Sequence, residues 1–171
     1  MLDSDGLIKL AKCGALETVA RTWRCFIPQA VYRETVERGK QESYPDALEI
    51  EQIVAANMEI RRAMRHPQAE RLLSRHRSLG SGEREALRLY FALKADGIVS
   101  DDVAFSKLLC EAGLPAWPPA AVLITLACEE SLAIQETHRA LEKLKGFIRP
   151  EVYRAALEDL ELLAIKKGGT R

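Results

Sequence analysis

Asp96-Gly97-Ile98-Val99-Ser100-Asp101-Asp102 packs a turn, a strand and a helix start into one short stretch. Asp-Gly is a turn dipeptide. Ile98-Val99-Ser100 has the β-branched content of a buried strand. Asp101 is of the type that caps a helix N-terminus, and the spacing predicts a helix from there through Ala112, ended by Gly113. Upstream, Ser81 is expected to cap a helix from Gly82 to about Lys94, with Glu83 to Glu85 in its first turn. Downstream, Leu114-Pro115-Ala116-Trp117 reads as a last short strand before Pro118-Pro119. A strand enclosed by helices on both sides is the unit of a parallel sheet.

The N-terminal half repeats that grammar. Met1-Leu2 is all there is of a first strand. A helix follows from Gly6 to about Lys12, with Leu7, Ile8, Leu10 and Ala11 apolar. Gly14 breaks it, and a second helix spans Ala15 to about Trp23. Cys25-Phe26-Ile27 is a buried strand ended by Pro28, which suits the first turn of a helix from Gln29 to Arg38, closed by Gly39. After a loop from Gln41 to Pro45, Asp46 should cap a helix through Ala55. Met58-Glu59-Ile60 is a weak strand. Arg61 to Leu79 reads as polar helix interrupted at Pro67. Three helices end the chain, about Ala120 to Glu130, Ile134 to Lys145 and Pro150 to Lys166, and the Gly-Gly-Thr-Arg tail should fray. The expected architecture is α/β over residues 1–171, a parallel sheet covered on both faces, with a C-terminal helical extension at about 120–166.

The bulk numbers narrow the function. With 171 residues, 47% hydrophobic and 29% charged, the chain has the size and core of one domain. Its formal net charge is zero, so any hold on nucleic acid must come from a local basic patch. Cys13, Cys25, Cys110 and Cys128 form no CxxC pair and read as reduced core thiols of a cytoplasmic protein. His66, His76 and His138 show no zinc-ligand spacing. The acidic start is no signal peptide, and Ala120 to Cys128, the longest apolar stretch, is too short to span a membrane.

In open α/β sheets, ligands bind beyond the carboxyl ends of the strands, where strand order reverses. Asp3 follows the first strand, and Asp101 and Asp102 follow Ile98-Val99-Ser100. Glu83 lies in a first helical turn, and Glu34 lies in the helix after Phe26-Ile27. Taken singly, each has a structural reading: Asp101 a cap, Glu83 or Glu85 an offset to the helix dipole, Glu34 a solvent-facing acid. Jointly, crowded carboxylates repel, and a divalent cation relieves that repulsion.

The ordered set Leu2-Asp3-Ser4-Asp5-Gly6-Leu7-Ile8, Ile27-Pro28-Gln29-Ala30-Val31-Tyr32-Arg33-Glu34, Gly82-Glu83-Arg84-Glu85-Ala86-Leu87 and Ile98-Val99-Ser100-Asp101-Asp102 resembles PIN domains. It is closest to the prokaryotic branch that includes VapC-type toxins, and Gly146-Phe147-Ile148 with Val152-Tyr153 resembles the end of that branch. The resemblance implies a three-layer α/β/α sandwich around a parallel sheet of about five short strands. It implies a magnesium or manganese centre and hydrolysis of RNA phosphodiesters. Asp3, Glu34, Glu83 and Asp102 match the family's catalytic acids, with Asp3, Glu83 and Asp102 as metal ligands and Asp101 as a further ligand or a cap. The resemblance also implies an antitoxin protein as a partner and a homodimer. Asp5 stands where the family has a small hydroxyl residue, the first strand is shorter than usual, and Pro118-Pro119 replaces glycines.

One stretch is basic. Arg61, Arg62, Arg65, Arg71, Arg75 and Arg77 are either a solvated face or a clamp for RNA phosphates; they could equally hold an acidic partner. Trp23 and Trp117 read as core rather than base-stacking platforms. Two other functions remain open. Asp3-Ser4-Asp5-Gly6 also resembles the nucleophile motif of haloacid dehalogenase-like phosphatases, with Asp5 as acid/base, Asp101-Asp102 holding magnesium and Lys94 as the required lysine. A non-catalytic PIN-like module that only binds RNA or protein is the third.

Overall fold

The computed structural model describes residues 1–168. Its strands are β1 (Cys25–Pro28), β2 (Met58–Arg61), β3 (Ile98–Val99) and β4 (Ala116–Trp117). β1 pairs in parallel with β2, Cys25 opposite Met58. β3 pairs in parallel with β4, Ile98 opposite Ala116. Met1 and Leu2 join the two pairs. Leu2 bridges Val99 in parallel, and its N–H donates to the Phe26 carbonyl at 3.1 Å. The Val99 N–H donates to the Met1 carbonyl at 2.8 Å, and the Asp3 N–H to the Val99 carbonyl at 3.2 Å.

The lateral order is therefore β2, β1, Leu2, β3, β4. The sheet has four strands and a single bridge instead of about five strands, because Asp3 already caps a helix and leaves only Leu2 in register. From Leu2 the chain steps outward to β1 and β2, then crosses to β3 and β4 on the other side. The reversal lies between Leu2 and β3, so the crevice that such sheets offer to ligands opens beyond Asp3 and Ser100.

The helices are α1 (Ser4–Lys12), α2 (Leu16–Thr22), α3 (residues 29–41), α4 (Asp46–Asn57), α5 (Pro67–Leu73), α6 (Ser81–Leu93), α7 (Val103–Glu111), α8 (Pro119–Cys128), α9 (Ile134–Leu144) and α10 (Pro150–Gly168). They form two cores on the two faces of the sheet. Leu2, Cys25, Ile27 and Val99 face one, with α1 to α4 and the C-terminal helices packed on them. Met1, Ile98 and Phe26 face the other, against α5, α6 and α7. The period-two alternation of strand side chains is what separates the layers. Trp23 and Trp117 meet edge-on at 6.2 Å beside the first core, as expected of core aromatics.

Several local expectations are corrected. Gly39 does not close α3; the helix runs through it to Gln41, and residues Arg33–Arg38 form a π-helical turn. Only Pro67–Leu73 of the basic stretch is helical, with Pro67 in its first turn, where a proline costs no hydrogen bond. Asp46 caps nothing and pairs with Lys12 at 2.7 Å. Gly80, not Ser81, is the N-cap of α6, and Asp102, not Asp101, caps α7. Cys13 and Cys25 are buried, but Cys110 and Cys128 are exposed, since helical spacing turns them outward; all four are free thiols. Of the Gly-Gly-Thr-Arg tail expected to fray, Gly168 ends α10 and residues 169–171 lie outside the described residues. No helix among the described residues is long and apolar enough to cross a membrane.

Candidate active site

Asp3 leaves the end of the first bridge and caps α1: its Oδ1 accepts the Gly6 N–H at 2.7 Å. Gly6 must be glycine, because a Cβ there would stand 2.6 Å from the Val99 carbonyl oxygen. That close crossing of α1 over β3 brings Asp3 beside Ser100, whose hydroxyl favours the ionised carboxyl. Asp3 is 2% exposed. Burial pushes its carboxyl up to about 7; the Ser100 hydroxyl and Gly6 amide act against this, and the charges of Asp5 and Glu83 add to it.

Asp102 caps α7, its Oδ1 accepting the Phe105 N–H at 2.7 Å, while its own N–H donates to the Ser100 hydroxyl at 3.2 Å. Glu83, in the first turn of α6, accepts the Gly80 N–H at 2.6 Å. Burial raises its carboxyl above the ordinary value against that amide bond, and Asp102, within hydrogen-bonding reach, and Glu34 raise it further. Glu34 comes from the π-helical turn of α3. It accepts from the Ser4 hydroxyl at 2.6 Å and the Ser81 hydroxyl at 2.5 Å. A Cβ on Gly82 would meet Glu34 Oε2 at 3.1 Å, so this glycine leaves room for the carboxylate.

The structure thus brings Asp3, Glu34, Glu83 and Asp102 together at the switch point, on the N-terminal turns of α1, α6 and α7 and on α3. None of the four forms an ion pair among the described residues. Arg38 lies in the field of Glu34 but bonds Glu42. Glu85 is turned away, accepting the Ala30 N–H at 2.9 Å at the start of α3.

Asp101 goes elsewhere. Its Oδ2 takes the Lys9 ammonium at 2.6 Å, and Lys9 also holds Asp5 at 2.7 Å. Burial alone would lower Lys9, but the two carboxylates outweigh it and hold the ammonium above its ordinary value. Asp101 Oδ1 is buried without a partner. The charge that Asp5 adds is therefore answered within α1 itself, at i, i+4 spacing, a pairing visible in the sequence. The hydroxyls of Ser4, Ser81 and Ser100 are site residues that sequence reasoning missed; no spacing marks a serine that orients an acid.

Oxygen-only donors and the lack of a counter-ion fit a hard divalent cation such as magnesium or manganese. Among the described residues no three side chains already converge on one point for an ion. Asp3, Glu83 and Asp102 are each tied to a backbone amide at the start of their own helix, and Glu34 to the hydroxyls of Ser4 on α1 and Ser81 on α6. Arg61 pairs with Glu59 on β2, and Arg62, Arg65, Arg71, Arg75 and Arg77 are exposed.

A doubly wound parallel sheet with carboxylates at its switch point is an α/β architecture that binds its ligands there. The chain belongs to the PIN-domain family: the family model DUF3368, a PIN domain, matches residues 1–162. No curated protein and no solved structure matches the chain. The phosphatase reading does not hold. Its lysine, Lys94, sits at the left-handed C-cap of α6, before β3, whereas Asp3 lies beyond the carboxyl end of the sheet. Asp5, its acid/base, is held by Lys9.

Proposed function

We propose that this chain is a divalent-metal-dependent endoribonuclease, with Asp3, Glu83 and Asp102 as metal-binding carboxylates and Glu34 as the fourth acid. One observation carries the reading: four carboxyls lie in one another's fields at the switch point with no ion pair among the described residues, and one of them, Asp3, is 2% exposed. Bound magnesium or manganese would supply a water of lowered pKa and charge stabilisation for the leaving oxygen of a phosphodiester. The chain's own residues prepare for it. Ser4 and Ser81 orient Glu34, Ser100 and the Gly6 amide orient Asp3, and the Phe105 amide orients Asp102. We leave Asp101 out of the ligand set, because Lys9 already neutralises it.

The test is cleavage of a labelled RNA in magnesium or manganese, with and without a chelator, by wild type and Asp3→Asn. Cleavage that requires the metal and is lost in the mutant supports the reading; cleavage indifferent to both sinks it. A chain that takes up no manganese in a direct titration would be the non-catalytic module instead. The toxin role, an antitoxin partner, a homodimer and a cytoplasmic location rest on the resemblance. They are tested by co-purification of an antitoxin from the native source, by sedimentation and by cell fractionation.

A further inference from the structure

Arg84, the residue after Glu83 on α6, belongs to a group with the opposite sign. Gly80 is its pivot: the Gly80 amide bonds Glu83, and Leu79 before it and Arg84 after it line a cleft of about 490 Å³ together with Glu70, Leu73, Ser74 and Arg77. Glu70 is the cleft's one carboxylate. It accepts from Arg88 Nε at 2.7 Å, and it lies in the field of Arg65 and Arg84 as well, which hold its carboxyl below the ordinary value. Arg77 and Arg84 thus line a cleft whose single negative charge is already taken by Arg88, with Arg65 also in its field. Arg77 and Arg84 make no ion pair among the described residues, although Arg84 is half-buried.

A surplus of guanidinium in a concave, polar pocket is the mirror of the carboxylate cluster beside it. There carboxylate oxygens suit a cation; here guanidinium groups suit an anion with several oxygens, which the planar fork of arginine binds bidentately. Resting on the nuclease reading, we propose that this cleft holds a backbone phosphate of the RNA strand flanking the scissile one, with Arg77 and Arg84 as its binding residues. Arg65 and Arg77 come from the basic stretch singled out in the sequence. Arg84 and Arg88 lie beyond it on α6, and the fold alone joins them. An acidic segment of a partner protein is the competing occupant.

The test is binding of a fluorescent single-stranded oligoribonucleotide by the full chain in excess chelator, where no cleavage interferes, followed by anisotropy at several salt concentrations. Wild type, Arg77→Met, Arg84→Met, the double variant, Arg84→Lys and the remote control Arg154→Met are compared, with melting curves to confirm folding. The double variant should bind about tenfold more weakly, and its salt slope should fall by about 0.7 for each phosphate that is no longer neutralised. Arg84→Lys should recover part of the affinity, and Arg154→Met should change nothing. A folded double variant with wild-type affinity and salt slope, in a chain whose wild type cleaves RNA, overturns the proposal and leaves the nuclease reading intact. Weakened binding in a chain that never cleaves sustains the phosphate cleft and removes the nuclease. Loss of binding to poly-glutamate but not to RNA overturns the proposal in favour of the acidic partner.

Discussion

Replacing Asp3 by asparagine separates the catalytic reading of the crevice from its cost in stability. Asparagine keeps the shape and the Oδ1 that accepts the Gly6 N–H, so the cap of α1 survives. What it removes is a buried charge. The folded chain holds the Asp3 proton up to about 7, whereas an unfolded aspartate releases it near ~3.9. Between those values the folded state binds more protons than the unfolded one, so without metal this group makes stability fall as pH rises, and above 7 the full loss is present. At ~1.36 kcal/mol per pH unit, the gap corresponds to at most roughly 4 kcal/mol. Urea unfolding followed by circular dichroism, in chelator, at pH values from 4 to 8 measures it. Asp3→Asn should match wild type at the acid end and exceed it by ~1–4 kcal/mol at the alkaline end. Added manganese should shift the balance toward the wild type, since only the wild type gains RT ln(1 + [L]/Kd), about 2.7 kcal/mol at a hundredfold excess over Kd, which reverses the order wherever the metal-free gap is smaller than that. A wild type whose metal-free stability keeps a constant offset from the mutant across this range would falsify the account of Asp3 as an uncompensated buried acid.

Three further substitutions probe the neighbours. Gly82→Ala places a Cβ 3.1 Å from Glu34 Oε2 and 3.2 Å from both Ser4 Oγ and Val31 Cγ2; RNA cleavage should drop by about 10²-fold through misplacement of Glu34, with little change in melting temperature. Asp102→Ser retains an N-cap oxygen for the Phe105 amide but no carboxylate; unfolding free energy should stay within about 0.5 kcal/mol of wild type while manganese affinity, read by titration, falls. Lys9→Met strands the Asp101 side chain, which is 4% exposed, and should cost ~3–5 kcal/mol at neutral pH. Adding Asp101→Asn should restore much of that loss in the same unfolding assay, and a double variant no more stable than the single would show that the pair is not what holds α1 to β3.

Asp3, Glu83 and Asp102 could be picked out in the sequence as candidates because each stands at a boundary that local rules can read. Asp3 and Asp102 follow strand ends and precede apolar helical periods, and Glu83 opens a helix with a clear apolar stripe. The layers were legible too, because Met1-Leu2, Cys25-Phe26-Ile27 and Ile98-Val99 alternate between the two cores residue by residue. What stayed hidden depended on contacts between distant segments. Asp101 and Asp102 are adjacent, and both are good caps by type. Which one caps is decided by Lys9, 92 residues away in sequence, which claims Asp101. Ser81 has the composition of a cap, yet its hydroxyl goes to Glu34, and the cap falls to Gly80. Glu34 itself shows the limit most clearly. An ordinary α-helical reading of residues 29–38 sets its direction by a 3.6-residue period, but the chain inserts a π-helical turn at Arg33–Arg38, where the Thr35 hydroxyl bonds the Val31 carbonyl at 2.9 Å. Such a turn sacrifices ideal backbone bonding, and no local preference in Arg-Glu-Thr-Val-Glu-Arg asks for it. It is offset by what it delivers: Val31 and Val36 both fully buried, and the Glu34 carboxylate between two serines from α1 and α6. That departure from the regular period turns Glu34 toward α1 and α6 and away from a purely solvent-facing position on α3, as its proposed place among the four acids requires.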